Sequence, residues 1–383
     1  MNYGIDVVVT KNRVQDANQT FIENLTPYLS APFSFSSRSM GGYSQASLDL
    51  AVTDVKAWQI LTQYLGCRIA FISPYANNAD GIVWEGLVYT VGIDDGKNTV
   101  SRTMANIANK IYVGWNGPSG WVGPFEDTGS QAAFGLRELD FPSSAGEPWI
   151  AGSLGRMLLK ERAWPITAPS LARTGSNASP SDVRLTIECA GIWEHMDKRV
   201  WGDLSNEHNM NADIVVGRIL TKVAQFASSD QSHINTNVYQ LTPRWYGGFP
   251  TTPAQTTLLK ICSFGGVNLL RWFLQFRENG NAYYFEEPTT PAYYTRRLDP
   301  SEAIRDYNTG VVVPPWMVMP GAIMYVGDIM PDEVVYPTVL GDPRAFLIDE
   351  VKYTSPNKLE ITPVIEEPSQ LKLARIASGL GGS

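Results

Sequence analysis

A chain of 383 residues is long enough for two or three domains, each with its own core. Charged residues make up 18% and hydrophobic ones 44%, the reverse of the balance that keeps a chain disordered. Thirty basic against 38 acidic side chains leave a formal net charge of −8, so there is no global basic field to hold a nucleic-acid backbone, and an ordinary DNA- or RNA-binding domain is excluded.

Eleven Trp, 17 Tyr and 14 Phe, with 25 Pro and 33 Gly, favour short strands, turns and aromatic contact surfaces over long helical arrays. The expected fold class is mainly β with minor α. Cys67, Cys189 and Cys262 stand too far apart in sequence for a disulfide scaffold or a close zinc-ligand pairing, and read as buried apolar thiols. The first residues lack the basic and apolar regions of a secretory signal, which points to synthesis in a cytoplasm. The long uncharged stretch 310–327 is interrupted by Pro314, Pro315 and Pro320, so no membrane span is expected.

Along the chain, Ala46, Leu48 and Leu50 alternate with Gln45, Ser47 and Asp49, the period of a half-buried strand after the Gly41-Gly42 turn. A short helix follows, with Thr53 as its cap, Val55, Trp58, Leu61 and Leu65 as its apolar stripe, and Gly66 at its end. Residues 68–72 and 82–91 read as strands joined by turn chemistry at 74–81. The Gly/Pro-rich stretch 114–121 reads as a loop whose Trp115 and Trp121 are candidates for contact with another surface. Ile150, Leu154, Met157 and Leu158, with basic Arg156, Lys160 and Arg162, give a helical period at 148–163 that stops before Pro165. Residues 167–181 read as a surface connection, after which Val183, Leu185, Ile187 and Cys189 alternate with Arg184, Thr186 and Glu188. A second helix is expected at 212–228, with Ile214, Ile219, Val223 and Phe226 inward. Asn279-Gly280, between 271–276 and 282–286, is the strongest hairpin signal in the chain. Strands return at 322–326, 345–353 and 358–363.

The strand near Arg68 and the strand that follows it are echoed, in the same order, at 323–326 and 346–353, so two similar β-units bracket a mixed middle. The expected division is 1–97 plus about 182–200 as the first β-unit, 98–181 as an insertion with a helix at about 148–163, and 201–290 as a mixed middle domain. A second β-unit at 291–370 and a flexible tail at 371–383 complete it.

No residue set names a reaction. Glu188 and Cys189 near His195 fall on opposite strand faces, and His208 sits in a polar loop without a second ligand at useful spacing. The adjacent carboxylates of Glu286-Glu287, Asp332-Glu333 and Asp349-Glu350 point apart on strands, whereas glycosidase chemistry needs two carboxyls facing across a cleft. Gly41-Gly42 and Gly265-Gly266 lack the Lys-Ser/Thr of a phosphate loop. The acceptor patterns at Asn18 and Asn24 have no secretory signal to make them glycosylation sites. No catalytic, cofactor-binding or metal residues are assigned, and no cofactor is expected.

Four local patterns, taken in order, resemble the baseplate hub at the tail tip of long-tailed bacteriophages, a minor tail protein. They are 35–50 with the capped helix, Arg68-Ile69-Ala70-Phe71 and Val83-Trp84-Glu85-Gly86; then Gln131-Ala132-Ala133-Phe134-Gly135-Leu136-Arg137-Glu138 with Glu161-Arg162-Ala163-Trp164-Pro165; then Leu258-Leu259-Lys260-Ile261-Cys262 leading into 272–286; and Met319-Pro320-Gly321 through Asp328 with 346–353. The resemblance implies two tail-tube-like β-barrels bracketing a mixed α/β middle with a helix-plus-hairpin module, three chains forming a ring of six similar barrels. It further implies a non-enzymatic part at the distal end of the virion tail, a homotrimer that continues the channel and opens for DNA ejection. Its partners would be the tail tube or distal tail protein, the tape-measure protein and tip, spike or fibre proteins, with phage DNA passing without sequence-specific binding. Trp115, Trp121 and Trp316 are the candidate assembly contacts. The alternatives are a distal tail protein or other tube-like adaptor, and a carbohydrate-binding or carbohydrate-active β-protein.

Overall fold

The computed structural model describes residues 4–10, 21–76, 78–94, 98–117, 120–171, 183–199, 210–223, 227–241, 253–267, 270–297, 302–327 and 344–364. Asn18, His208, Phe226, the Asp332-Glu333 pair and the tail expected at 371–383 lie outside the described residues. Strands β1 (Asp6–Thr10), β2 (Phe21–Asn24), β3 (Ser34–Arg38) and β4 (Gly41–Val52) precede helix α1 (Asp54–Gln63), then β5 (Arg68–Ile72), β6 (Ile82–Asp94) and β7 (Asn98–Thr103). Next come β8 (Lys110–Trp115), β9 (Trp121–Glu126), α2 (Thr128–Phe134), β10 (Glu138–Ala145), α3 (Pro148–Arg162), β11 (Thr167–Leu171) and β12 (Val183–Ala190). The middle holds α4 (Ile192–Met196), β13 (Met210–Asn211), α5 (Ala212–Val223), β14 (Gln240–Leu241), α6 (Ala254–Phe264), β15 (Trp272–Phe276) and β16 (Ala282–Glu286). The last part is β17 (Tyr293–Thr295), β18 (Arg305–Asp306), β19 (Ile323–Val326), β20 (Ala345–Thr354) and β21 (Lys358–Pro363).

The fold is mainly β, and its centre is one 16-stranded sheet with the path β2-β1-β5-β6-β12-β4-β3-β20-β19-β17-β18. Strands β7 and β11 extend it from β6, β21 adds to β20, and the β15–β16 hairpin attaches to β4. The two strand pairs that echo each other in sequence, β5 with β6 and β19 with β20, are both antiparallel neighbours. What the sequence presents as two separate β-units is joined edge to edge, because β20 pairs with β3 from Glu350↔Arg38 to Thr354↔Ser34.

The sheet curls. Strands β3 and β5 are four positions apart along the path, which in a flat sheet would be roughly 19 Å, yet the rings of Phe35 and Phe71 lie 5.5 Å apart and those of Phe33 and Phe71 5.2 Å. Trp84, fully buried on β6, donates its Nε1–H to the Ser36 carbonyl of β3 at 3.0 Å. Side chains therefore span the interior that ladder hydrogen bonds leave open, in the manner of a half-barrel around its core. Trp316 and Tyr353 of the C-terminal part enter that same core.

Helix α1 is capped as expected, Thr53 Oγ1 accepting from the Lys56 N–H at 3.4 Å. Its buried stripe is Ala57, Ile60 and Leu61, continued by Tyr64 and Leu65, while Val55 and Trp58 face solvent. Both sets satisfy helical spacing, and the longer contiguous stripe takes the core. The same holds in α5, where Val215, Val216, Ile219 and Leu220 are buried and Ile214 is exposed. Two boundaries also move. Strands β7 and β11, at the two ends of the expected insertion 98–181, belong to the large sheet, so the inserted unit is the three-stranded sheet β10-β8-β9 under α3. Helix α4, expected with the first β-unit, packs Ile192, Trp193 and Met196 into the middle core with α5, α6 and the hairpin.

The hairpin forms where Asn279-Gly280 predicts it, both residues at positive φ (56° and 70°), in the register Trp272↔Glu286 to Phe276↔Ala282. Strand β15 then runs parallel to the start of β4, Gln275 opposite Gly41 and Phe276 opposite Gly42. Gly42 has φ +74°, and a Cβ there would lie 2.2 Å from the Phe276 carbonyl oxygen, so the glycine is what admits the hairpin. Gln275 is fully buried; its Nε2 donates to the carbonyls of Ser39 and Pro320, both at 3.0 Å, and its Oε1 accepts from Arg277 Nε and Nη2 at 2.8 and 2.6 Å. This side chain ties hairpin, first β-unit and C-terminal part together.

Gly42→Ala is expected to lower the unfolding free energy by more than the ~1–2 kcal/mol that a left-handed backbone conformation costs a non-glycine residue, read from the midpoint of urea denaturation. Gln275→Leu, close in volume, removes partners from two buried carbonyls and a buried guanidinium and is expected to cost on the order of 3 kcal/mol, again by urea denaturation.

Candidate assembly surface

Strand alternation gives the large sheet one apolar and one polar face. On β4, Ala46, Leu48, Leu50 and Val52 are buried while Gln45, Ser47 and Ala51 are exposed and Asp49 is half-buried; on β12, Leu185 and Ile187 are buried while Arg184 and Glu188 are exposed. Register aligns the polar sets, pairing Glu188 with Ser47 and Thr186 with Asp49. The same face continues outward through Glu350, Lys352 and Thr354 of β20 and through Thr90 and Asp94 of β6, the latter opposite Thr103 and Thr99 of β7. Near its middle is a cleft of about 550 Å³ lined by Gln45, Ser47, Tyr89, Glu188, Glu194, Glu350 and Lys352.

Charges on this face are partly tied down. Arg184 Nη2 and Thr186 Oγ1 donate to Asp49 at 2.6 and 2.7 Å. Burial acts to raise the Asp49 carboxyl, and these donors more than offset it, holding its pKa below the ordinary value. Arg38 and Glu350 pair at 3.4 Å across the β3–β20 junction. With Glu350 shared by Arg38, Glu188 and Glu194 against Lys352 still leave the cleft acidic in sign.

Of the three tryptophans singled out by sequence, Trp115 and Trp121 bracket the loop of the inserted sheet and are half-buried, Trp121 opposite Gly114 and the Trp115 N–H bonded to the Gly120 carbonyl at 3.0 Å. The Trp115 ring is folded over Gly117, where an added Cβ would meet it at 1.8 Å. Trp316 is 7% exposed and packs edge-on against Tyr353 with ring centroids 5.8 Å apart. It serves the chain's own core, so its ring is withdrawn from any neighbouring chain.

The reactive residue types are dispersed. Cys67, Cys189 and Cys262 are all buried and free, and burial raises the Cys189 thiol and pushes Cys262 up to about 12. Glu188 and Cys189 do lie on opposite faces. His195 is buried with Nδ1 3.4 Å from Arg137 Nη1, and burial, with Arg137 and then Arg199, drives its pKa well down. His233 stacks on Tyr283 at 4.3 Å. Asp349 accepts from Ser39 Oγ and Glu287 faces Arg271, so those carboxylates are spent separately. Among the described residues no three His, Cys, Asp or Glu side chains group as metal ligands, and no helix is long and apolar enough to cross a membrane.

A charged seam joins the inserted sheet to the middle. Lys110 Nζ lies 3.5 Å from both Glu126 and Glu138, and Arg199 meets Glu138 at 3.4 Å. Beside it Asp140 is lifted to about 6, first by burial and then by Glu138. A carboxyl whose folded pKa is raised binds its proton more tightly when folded, so its destabilising effect is fully present above about 6 and fades as pH falls toward the unfolded value. Asp140→Asn is therefore expected to raise the Tm at pH 7, with the gap from the natural chain closing toward pH 4, measured by thermal unfolding across that range.

No protein-family model matches the sequence. No curated protein matches it either. Among solved structures, the chain is similar to the tail protein from Neisseria meningitidis MC58, at 9% identity and a TM-score of 0.37 over 94% of this chain and 96% of that one. It is also similar to the 43 kDa tail protein of prophage MuSo2 from Shewanella oneidensis, at 8% identity and a TM-score of 0.37 over 95% and 98% of the two chains. At these scores the superpositions carry no argument about fold or task, which rests on the chain's own geometry and sequence.

Proposed function

We propose that the protein is a structural, non-enzymatic component of a bacteriophage tail, a tip hub that assembles as a threefold ring, continues the channel of the tail tube and opens for DNA ejection. The observation that carries this reading is the sheet itself: curled, extended edge to edge from one β-unit into the other, and, among the described residues, ending at β2 and β18 rather than closing. Exposed edge strands are a liability that a protein covers by pairing or by packing against a neighbour. Contacts between unlike edges of successive copies are heterologous, and such contacts close into a ring when the rotation from copy to copy closes. Three copies then offer six β-units, which is how a threefold tip matches a sixfold tube. The ordered sequence patterns support the reading independently, since the first and fourth of them form adjoining parts of this one sheet. A channel wall must let a polyanion pass, and a chain of net charge −8 suits that task. No bond chemistry is assigned to it, in keeping with thiols that are buried and protonated. Its neighbours in this reading are the tube or distal tail protein, the tape-measure protein and the tip or fibre proteins.

Quantifying the chain in purified tails is the test. Three copies per tail, at the distal end by immunogold labelling, and a native mass of three times the 42.3 kDa chain for the ring are expected. Six copies would assign it instead as a distal tail protein or tube-like adaptor.

A further inference from the structure

Helix α3 is held against its own sheet with little freedom. Ala151, Gly155 and Leu158 face β8 and β9, and a Cβ on Gly155 would come within 2.3 Å of the Phe125 ring. Its opposite side has no cover among the described residues. There Trp149 is 69% exposed, Ile150 41% and Met157 50%, an unusual group of large apolar side chains to leave in water. At 100° per residue, Arg156 and Lys160 fall on the same side as Trp149 and Met157. Neither cation is engaged in an ion pair among the described residues. The sequence shows the helix and its basic residues, but only packing shows that the tryptophan is the side left outside.

A rigid helix face with two cations and a tryptophan is opposite in sign to the net charge of −8 that its own chain carries. The acidic cleft on the sheet's polar face is the concave part of that surface, lined by Glu188, Glu194 and Glu350 beside Tyr89 and Gln45. Helix face and cleft belong to different elements, so a contact between them joins unlike surfaces of successive copies. We infer that the outer face of α3 docks on a second copy of this chain, placing Arg156 and Lys160 in the cleft at Glu188, Glu194 and Glu350 while Trp149 and Met157 cover its rim. This deepens the ring reading and rests on it. Trp149 supplies the anchor that excludes water, and the charge pairs set register and orientation. Two cations are too few to hold a nucleic-acid backbone against the net negative field.

Disulfide trapping and charge reversal test it on the full chain. The three native thiols are buried, so cysteines introduced by Met157→Cys in one preparation and Gln45→Cys in another report on the contact with low background. The mixed pair is expected to cross-link, and a control pair made with Val55→Cys and Val311→Cys, both on exposed positions, is not. Arg156→Glu with Lys160→Glu is expected to weaken self-association roughly tenfold or more. Glu188→Lys with Glu350→Lys is expected to do the same, and mixing the two reversed chains is expected to restore it. Each variant is first checked for natural near-UV circular dichroism. Association unchanged by either reversal overturns the contact while leaving the ring reading intact. A chain that stays monomeric and whose mixed pair cross-links no better than the control also overturns it, and the ring reading is then judged separately by copy number in tails. Retention of DNA or of anionic lipid vesicles by the natural chain, lost on reversing Arg156 and Lys160, would assign this face to those partners instead.

Discussion

Pairing of β20 against β3 links residues more than 300 positions apart in sequence, and the architecture depends on it. Closing so long a loop costs conformational entropy that grows only slowly with length but must be met by contacts made at the junction. The Arg38–Glu350 pair crosses the junction at an exposed site and is worth at most about 1 kcal/mol. Burial of Tyr353 and Trp316 in the first core contributes roughly 2–3 kcal/mol apiece, so aromatic packing decides. Tyr353 sits opposite Phe35 with ring centroids 5.1 Å apart and donates its hydroxyl to the Pro356 carbonyl at 2.7 Å. Ser355 adds a reciprocal pair of hydrogen bonds with the backbone of Phe33.

The middle hairpin reinforces the same junction from the other side. A glutamine in the core is costly unless every polar atom is used, and Gln275 spends both donors on carbonyls from the first β-unit and the C-terminal part while its oxygen receives Arg277. Glu85 of β6, buried beside Arg68, also accepts from the backbone of Asn279 and Gly280, so the turn docks on the first unit as well as closing its own strands. Burial pushes the Glu85 carboxyl upward, Arg68 and the turn amides opposing it. The hairpin thus acts as a clamp whose closeness is set by two glycines, Gly41 and Gly42, that leave no room for a side chain against Trp193 and Phe276.

This arrangement separates the two faces of the sheet by task. The inner one is spent on aromatic closure, which leaves the outer one, with its hydroxyls and carboxylates, and the far side of α3, with its tryptophan and cations, as the surfaces available for assembly. Both are borne on rigid elements rather than loops.

Local pattern determined a good deal by itself. Period-2 alternation in 45–50 and 183–189 placed the right residues inward, and the Asn279-Gly280 turn needed positive φ at both positions, as it has. Alternation also put Glu188 and Cys189 on opposite faces. Tertiary structure alone decided which of two acceptable stripes α1 and α5 bury, that β7 and β11 join the large sheet, and that the two β-units join edge to edge in it. It also sent Trp316 inward and left Trp149 outward, because composition records how apolar a side chain is, whereas burial depends on which distant element arrives to cover it.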